Sequence, residues 1–139
     1  MYHKNCMAGD ICRIIVMGAA TVIDVLFGEA DGVFKTLIIF MTMDYLTGVL
    51  SAAMNKKLSS KIGFRGLLKK MGILCIISLT AIMDRNLLNS TTLRNAAVFY
   101  YISNEGISIL ENLAKLGIPI PQKLKEVLYE IRDDEDAEH

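Results

Sequence analysis

Apolar residues gather into four stretches along this chain, and each stretch encloses a carboxylate. The first runs from about Ile11 to Gly28 and contains Asp24. Arg13, Met17, Ala20, Thr21 and Asp24 share one side of it at helical spacing. That amphipathic helix is compatible with a membrane span and with a segment lying in the membrane surface, since crossing takes about 20 residues. The second stretch, Val33 to Met54, is long enough to cross, and Asp44 is its only charge besides Lys35 near the start. The third, Met71 to Leu88, is uncharged until Asp84–Arg85. The fourth, about Arg94 to Ala114, sets a polar stripe (Tyr101, Asn104, Glu105, Ser108, Glu111, Asn112) against Val98, Phe99, Ile102, Ile109 and Leu113. Gly117–Ile118–Pro119–Ile120–Pro121 ends it, because proline lacks a donor and restricts the residue before it. A short amphipathic helix follows over Gln122 to Arg132, with Leu124, Val127, Leu128 and Ile131 at i, i+3, i+4 and i+7.

The pattern predicts an all-α fold: an integral membrane bundle of three to four transmembrane helices over residues 1–128, with a short amphipathic C-terminal helix. Residues 133–139, rich in Asp and Glu, read as a solvated, disordered tail.

An ionised acid at bilayer depth costs roughly 3 kcal/mol, so it normally faces protein or a wet cavity. Asp44, Thr47, Gly48 and Ser51 recur at three- and four-residue spacing, giving one polar, small-residue stripe on an otherwise apolar helix. Small residues admit close backbone approach, and hydroxyls hydrogen-bond between helices. With Glu105 and Ser108 of the fourth stretch, these residues are the candidates for an oligomer or pore seam. Asp84, beside Arg85 near an end, reads as local, and Asp24 depends on whether the first stretch spans.

Asn55 to Lys70 holds Lys56, Lys57, Lys61, Arg65, Lys69 and Lys70 with no acid among them. A short loop this basic stays in the cytoplasm. Leu58, Ile62, Phe64, Leu67 and Leu68 interleave with the charges, so the expected loop rests partly among lipid headgroups. The turns at Glu29–Asp31 and Asn89–Thr92 then lie outside, and the C-terminus returns to the cytoplasm.

Composition adds limits. Hydrophobic residues make up 53% of the 139, and net charge is zero, which leaves no general case for nucleic-acid binding. Gly18–Ala19–Ala20 follows too short an apolar core, and is followed by too much apolar sequence, to be a secretory cleavage site. Cys6, Cys12 and Cys75 form no Cys-x-x-Cys pair, and Cys75 reads as a small packing residue. Both histidines, His3 and His139, are terminal, and no metalloprotease, phosphate-loop or nucleophile-turn motif occurs. No catalytic set, metal or cofactor is therefore expected.

Met43-Asp44-Tyr45-Leu46-Thr47-Gly48 leads into Ser60-x-x-Gly63-x-x-Gly66-x-x-Lys69-Lys70. Glu105-Gly106-Ile107-Ser108-Ile109-Leu110-Glu111-Asn112 and Gly117-Ile118-Pro119-Ile120-Pro121-Gln122-Lys123-Leu124 follow. In this order and spacing, over about Phe34 to Leu128, the chain resembles the toxin-secretion and phage-lysis holin family, which includes clostridial toxin-release holins and holins of phages of Gram-positive bacteria. The resemblance implies a cytoplasmic-membrane protein that oligomerises with itself at a set time into large lesions. Those lesions let an endolysin, or a toxin, reach the cell wall without necessarily binding it. Two other classes fit the residues: a small proton-coupled four-helix exporter using Glu105 or Asp44, and a membrane adaptor whose last helix binds a cytoplasmic partner.

Overall fold

The computed structural model describes residues 13, 16–18, 21, 22, 24–27, 31–57 and 59–137, all in helices or the connections between them, with backbone alone at 62 and 133–137. The described residues between 13 and 27 are helical, and Asp24 is exposed. Helix α1, Gly32–Met54, starts where Asp31 accepts the Phe34 amide on Oδ1 at 2.8 Å, satisfying one orphan donor of the first turn. It ends in a Schellman closure: Lys57 N–H donates to Ala52 O and Lys56 N–H to Ala53 O. Lys56, at φ 54°, takes the left-handed position usually given to glycine.

Helix α2, Ser60–Met83, runs on through a π-helical turn, Asp84–Leu88, into Asn89 at φ 47°. The basic segment expected to be a loop over residues 55–70 is thus a loop only to residue 59. Phe64, Leu67, Leu68 and Met71 stand at helical spacing, and so do Lys61, Arg65 and Lys69, so the segment is an amphipathic first half of α2. Helix α3 is Thr92–Lys115, closed by a second Schellman turn with Gly117 at φ 83°. Helix α4, Gln122–Ala137, exceeds its expected span. No glycine or proline interrupts 122–137, so the backbone stays helical into the acidic run that read as disordered over 133–139.

Inward positions repeat at three- and four-residue steps, the spacing of a packed helix seam. On α1 they are Phe34, Leu37, Met41, Asp44, Gly48 and Ser51; on α2, Lys70, Ile73, Ile77, Ala81 and Asp84. Phe34, Leu37, Met41, Ile73, Ile77 and Val98 form the apolar core. Helix α3, the most polar of the first three, is also the most sheltered: it packs on α1, α2 and α4, and between Arg94 and Leu110 only Phe99 is exposed.

The outward faces of α1 and α2 are apolar: Ile39, Leu46 and Leu50 on one, Leu67, Leu79 and Leu87 on the other, all more than half exposed. Cys75, expected to pack inside, is exposed on α2. Two helical segments, Gly32–Met54 and Gly63–Leu88, are long and apolar enough to cross a membrane. Only 17% and 22% of their apolar windows are buried, whereas the core helix of a water-soluble domain would be covered by protein. Exposed apolar surface on this scale marks a membrane protein.

At the turn end, Asp84 serves as the cap that Thr91 does not provide. Its carboxylate accepts the Arg94 amide at 2.8 Å, the Leu93 amide at 3.3 Å and Ser90 Oγ at 3.0 Å. Asp84 thus has the local role expected of it. Arg94 donates through Nε to Phe27 O at 2.6 Å and through Nη1 to Asp31 Oδ2 at 3.0 Å, while Arg85 donates to Asp24 O and Val25 O. Two guanidiniums therefore hold the carbonyl end of the first stretch against the turn joining α2 and α3.

Helix α4 folds back antiparallel along α3. A Cβ on Gly106 would lie 3.1 Å from both Leu128 methyls and 3.3 Å from Phe40 Cε2, the closest approach at any described glycine. Gly106→Val should therefore destabilise the bundle by about 1–3 kcal/mol through overpacking, read as unfolding of the detergent-solubilised protein. Unchanged stability would mean that Leu128 does not seat there. The Arg94 hydrogen bond, with the Phe34 amide, holds the Asp31 carboxyl below the ordinary aspartate value despite partial burial. That contribution is complete above about pH 3.9 and is lost as pH falls towards the lower folded value. An acid titration should show Asp31→Asn lacking this loss, and identical acid limbs for the two proteins would contradict it.

Candidate functional site

The inward stripes of α1, α2 and α3 each carry one charge at a common level. Asp44 lies ten residues before the end of α1, Lys70 ten after the start of α2, and Glu105 ten before the end of α3. At 1.5 Å per residue all three sit roughly 15 Å from the basic end of the bundle. Lys70 Nζ donates to Asp44 Oδ2 at 2.8 Å and to Glu105 Oε2 in a very short contact. Their side chains are 11%, 17% and 2% exposed for Lys70, Asp44 and Glu105, so the cluster is nearly dry. One ammonium between two carboxylates bridges all three helices.

Asn112 completes the cluster from α3. Its Nδ2 donates to Asp44 Oδ1 at 3.2 Å and to Thr47 Oγ1 at 3.4 Å, while Thr47 Oγ1 donates back to Met43 O at 2.9 Å. Gly48 lies under the same amide: a Cβ there would be 3.4 Å from Asn112 Nδ2. Two clefts reach this cluster from the basic end. One of about 330 Å³ is lined by Asp44, Gly48, Gly63, Gly66, Lys70 and Ser108. The other, about 480 Å³, shares Gly48, Ala52 and Asn112 with it and passes Ser51 and Asn55 to Lys57 and Lys115.

The structure therefore brings Asp44, Thr47, Gly48, Glu105 and Ser108 to one place, with Ser51 buried one turn nearer the basic end. Lys56, Lys57, Lys61, Arg65 and Lys69 are exposed, as a surface segment requires. Lys70, grouped with them as a membrane-surface residue, is instead the centre of the buried cluster. The physical reason is register: the helix already running from Ser60 turns Lys70 inward with Ile73 and Ile77 and leaves Lys69 outside. Two mid-stretch acids called for an interior cation, and Lys70, at the edge of the uncharged run, was the signal that could have supplied it. Asn112 was visible as part of the polar stripe, but its partner was not. Among the described residues no group of three or more His, Cys, Asp or Glu could hold a metal ion.

A charge cluster held between two outwardly apolar helices defines a small helical-bundle membrane protein. Residues 21–133 match the model of the bacteriophage holin family, and the chain belongs to that family. An uncharacterized 14.9 kDa protein of Clostridium perfringens is 43% identical over 119 residues, covering 85% of this chain and 90% of its own. An uncharacterized protein of Listeria monocytogenes is 36% identical over 130 residues, covering 92% and 93%. A probable holin of Bacillus phage phi105 is 33% identical over 111 residues, covering 80% and 82%. No solved structure matches the chain.

Removing the ammonium would leave two facing carboxylates uncompensated. Lys70→Met should cost about 3–5 kcal/mol of stability. Adding Glu105→Met should restore part of it, with a coupling of about 1–3 kcal/mol in a double-mutant cycle in detergent. Additive losses would show that the two side chains do not meet.

Proposed function

We propose that this protein is a holin: it assembles with itself in the bacterial cytoplasmic membrane into lesions through which an endolysin, or a protein toxin, leaves the cell. Membership of the bacteriophage holin family carries this reading, and the relative named as a probable holin supports it. The family is not an enzyme family.

In this reading α3 crosses the membrane beside α1 and α2, its polarity sheltered by them. The exposed Lys56, Lys57, Lys61, Arg65 and Lys69 stay at the cytoplasmic surface against anionic headgroups, which sets the C-terminus in the cytoplasm. In a lone protomer the Lys70 ammonium pairs with both carboxylates of the cluster, and the Asn112 amide adds a donor to Asp44. Lipid cannot solvate these groups, so the seam stays shut while lipid surrounds it. Once many copies share a water-filled edge, the same groups can be hydrated, and opening the seam no longer strands a charge. The cluster thereby favours two states, closed in lipid and open to water.

Expression in bacteria with and without a coexpressed endolysin tests this directly. Abrupt loss of respiration and viability is expected, with endolysin release. Continued growth with a cytosolic reporter retained would overturn it, and saturable efflux of a small solute without lysis would favour the exporter. Lys70→Met should shift the time of lysis at equal protein level; unchanged timing would make the cluster purely structural.

A further inference from the structure

The packing of α4 conflicts with a lipid environment on its outer side. Leu128 seats on Gly106, the neighbour of Glu105, so α4 has reached the level of the charge cluster by its midpoint. Lys125 and Tyr129 share one cleft with Ile107, Glu111 and Lys115. Nine more residues of α4 follow Leu128, including Glu130, and climb past that level. Glu126 and Glu130 are exposed. Beside a span these acids would lie at bilayer depth, where charged side chains avoid lipid. The outward faces of α1 and α2, by contrast, carry exposed apolar residues such as Ile39, Leu46 and Leu79, with the exposed cations of α2 confined to its basic first half and Arg85.

We propose that α4 is the lumen-side helix of the assembled lesion, docked on α3 with its charged face on water, while α1 and α2 face lipid. This rests on the holin reading. A lone protomer has lipid on every side, so there α4 lies undocked at the membrane surface, where its amphipathic pattern fits the interface. The docked α4 over a still closed cluster is the arrangement of a protomer already beside water whose seam has not opened. Docking and lesion assembly are then linked: water reaches the α3 side only when copies share it, and only then does α4 close over Gly106.

The test uses full-length protein with Cys6, Cys12 and Cys75 replaced by serine or alanine. Glu111→Cys with Lys125→Cys, two polar positions facing the α3–α4 cleft, is treated in cells with a short bifunctional maleimide. The crosslink is expected to be absent before lysis and to appear at its onset. In the crosslinked lesion an added Glu130→Cys should react with a membrane-impermeant thiol reagent, and an added Leu79→Cys should not. A full crosslink long before lysis, or lysis with no crosslink at all, would overturn the placement of α4. A second pair, Ile107→Cys with Tyr129→Cys, must give the same outcome. A protein that never lyses cells even without crosslinker would instead refute the holin reading beneath it.

Discussion

The ammonium of Lys70, held between the carboxylates of Asp44 and Glu105, is the constraint from which the arrangement of α1, α2 and α3 follows. Breaking either contact leaves a charge buried without compensation, which is costlier than any single apolar contact in the seam. Because the three groups lie at matching distances from their helix ends, satisfying them fixes both the rotation and the axial register of all three helices. A slide of one turn on α2 would put Ile73 where Lys70 meets the two carboxylates. The apolar core from Phe34 to Val98 supplies area, but area alone tolerates sliding.

A second polar cluster closes the other end of the same seam. Asp84 caps α3, Arg94 holds Asp31 and Phe27 O, and the aliphatic layer lies between this cluster and Lys70. Two buried polar clusters thus flank an apolar core, while the middle stretches of α1 and α2 turn apolar residues outward. Such a molecule is stable in lipid only while its buried charges stay paired and hydrogen-bonded. In the holin role proposed above, the same buried polar groups would supply the surface that a water-filled lesion needs.

Much of this was legible in the chain. The spacing of Asp44, Thr47, Gly48 and Ser51 marked one polar face of α1, and Glu105, Ser108 and Asn112 one of α3. Both read as candidates for an oligomer or pore seam, and in the structure they pack against each other within one chain. Periodicity fixes a face, but it does not say which face meets which. Lys70 was missed for that reason: six cations in fifteen residues read as a loop, although Phe64, Leu67, Leu68 and Met71 already stood at helical spacing. The role of Gly106 was equally hidden, since a glycine within a helical pattern does not announce whether Leu128 or nothing lies over it. The acidic end misled in the opposite direction, because charge suggested disorder where the backbone had no reason to stop.

Dipolar recoupling by solid-state NMR between 15Nζ of Lys70 and 13Cδ of Glu105, in full-length protein reconstituted into bilayers, tests the central claim most directly. Strong dephasing is expected, and it should disappear in Lys70→Met and in Glu105→Met. A Lys70 ammonium that shows no such contact, and exchanges freely with water like Lys69, would contradict it.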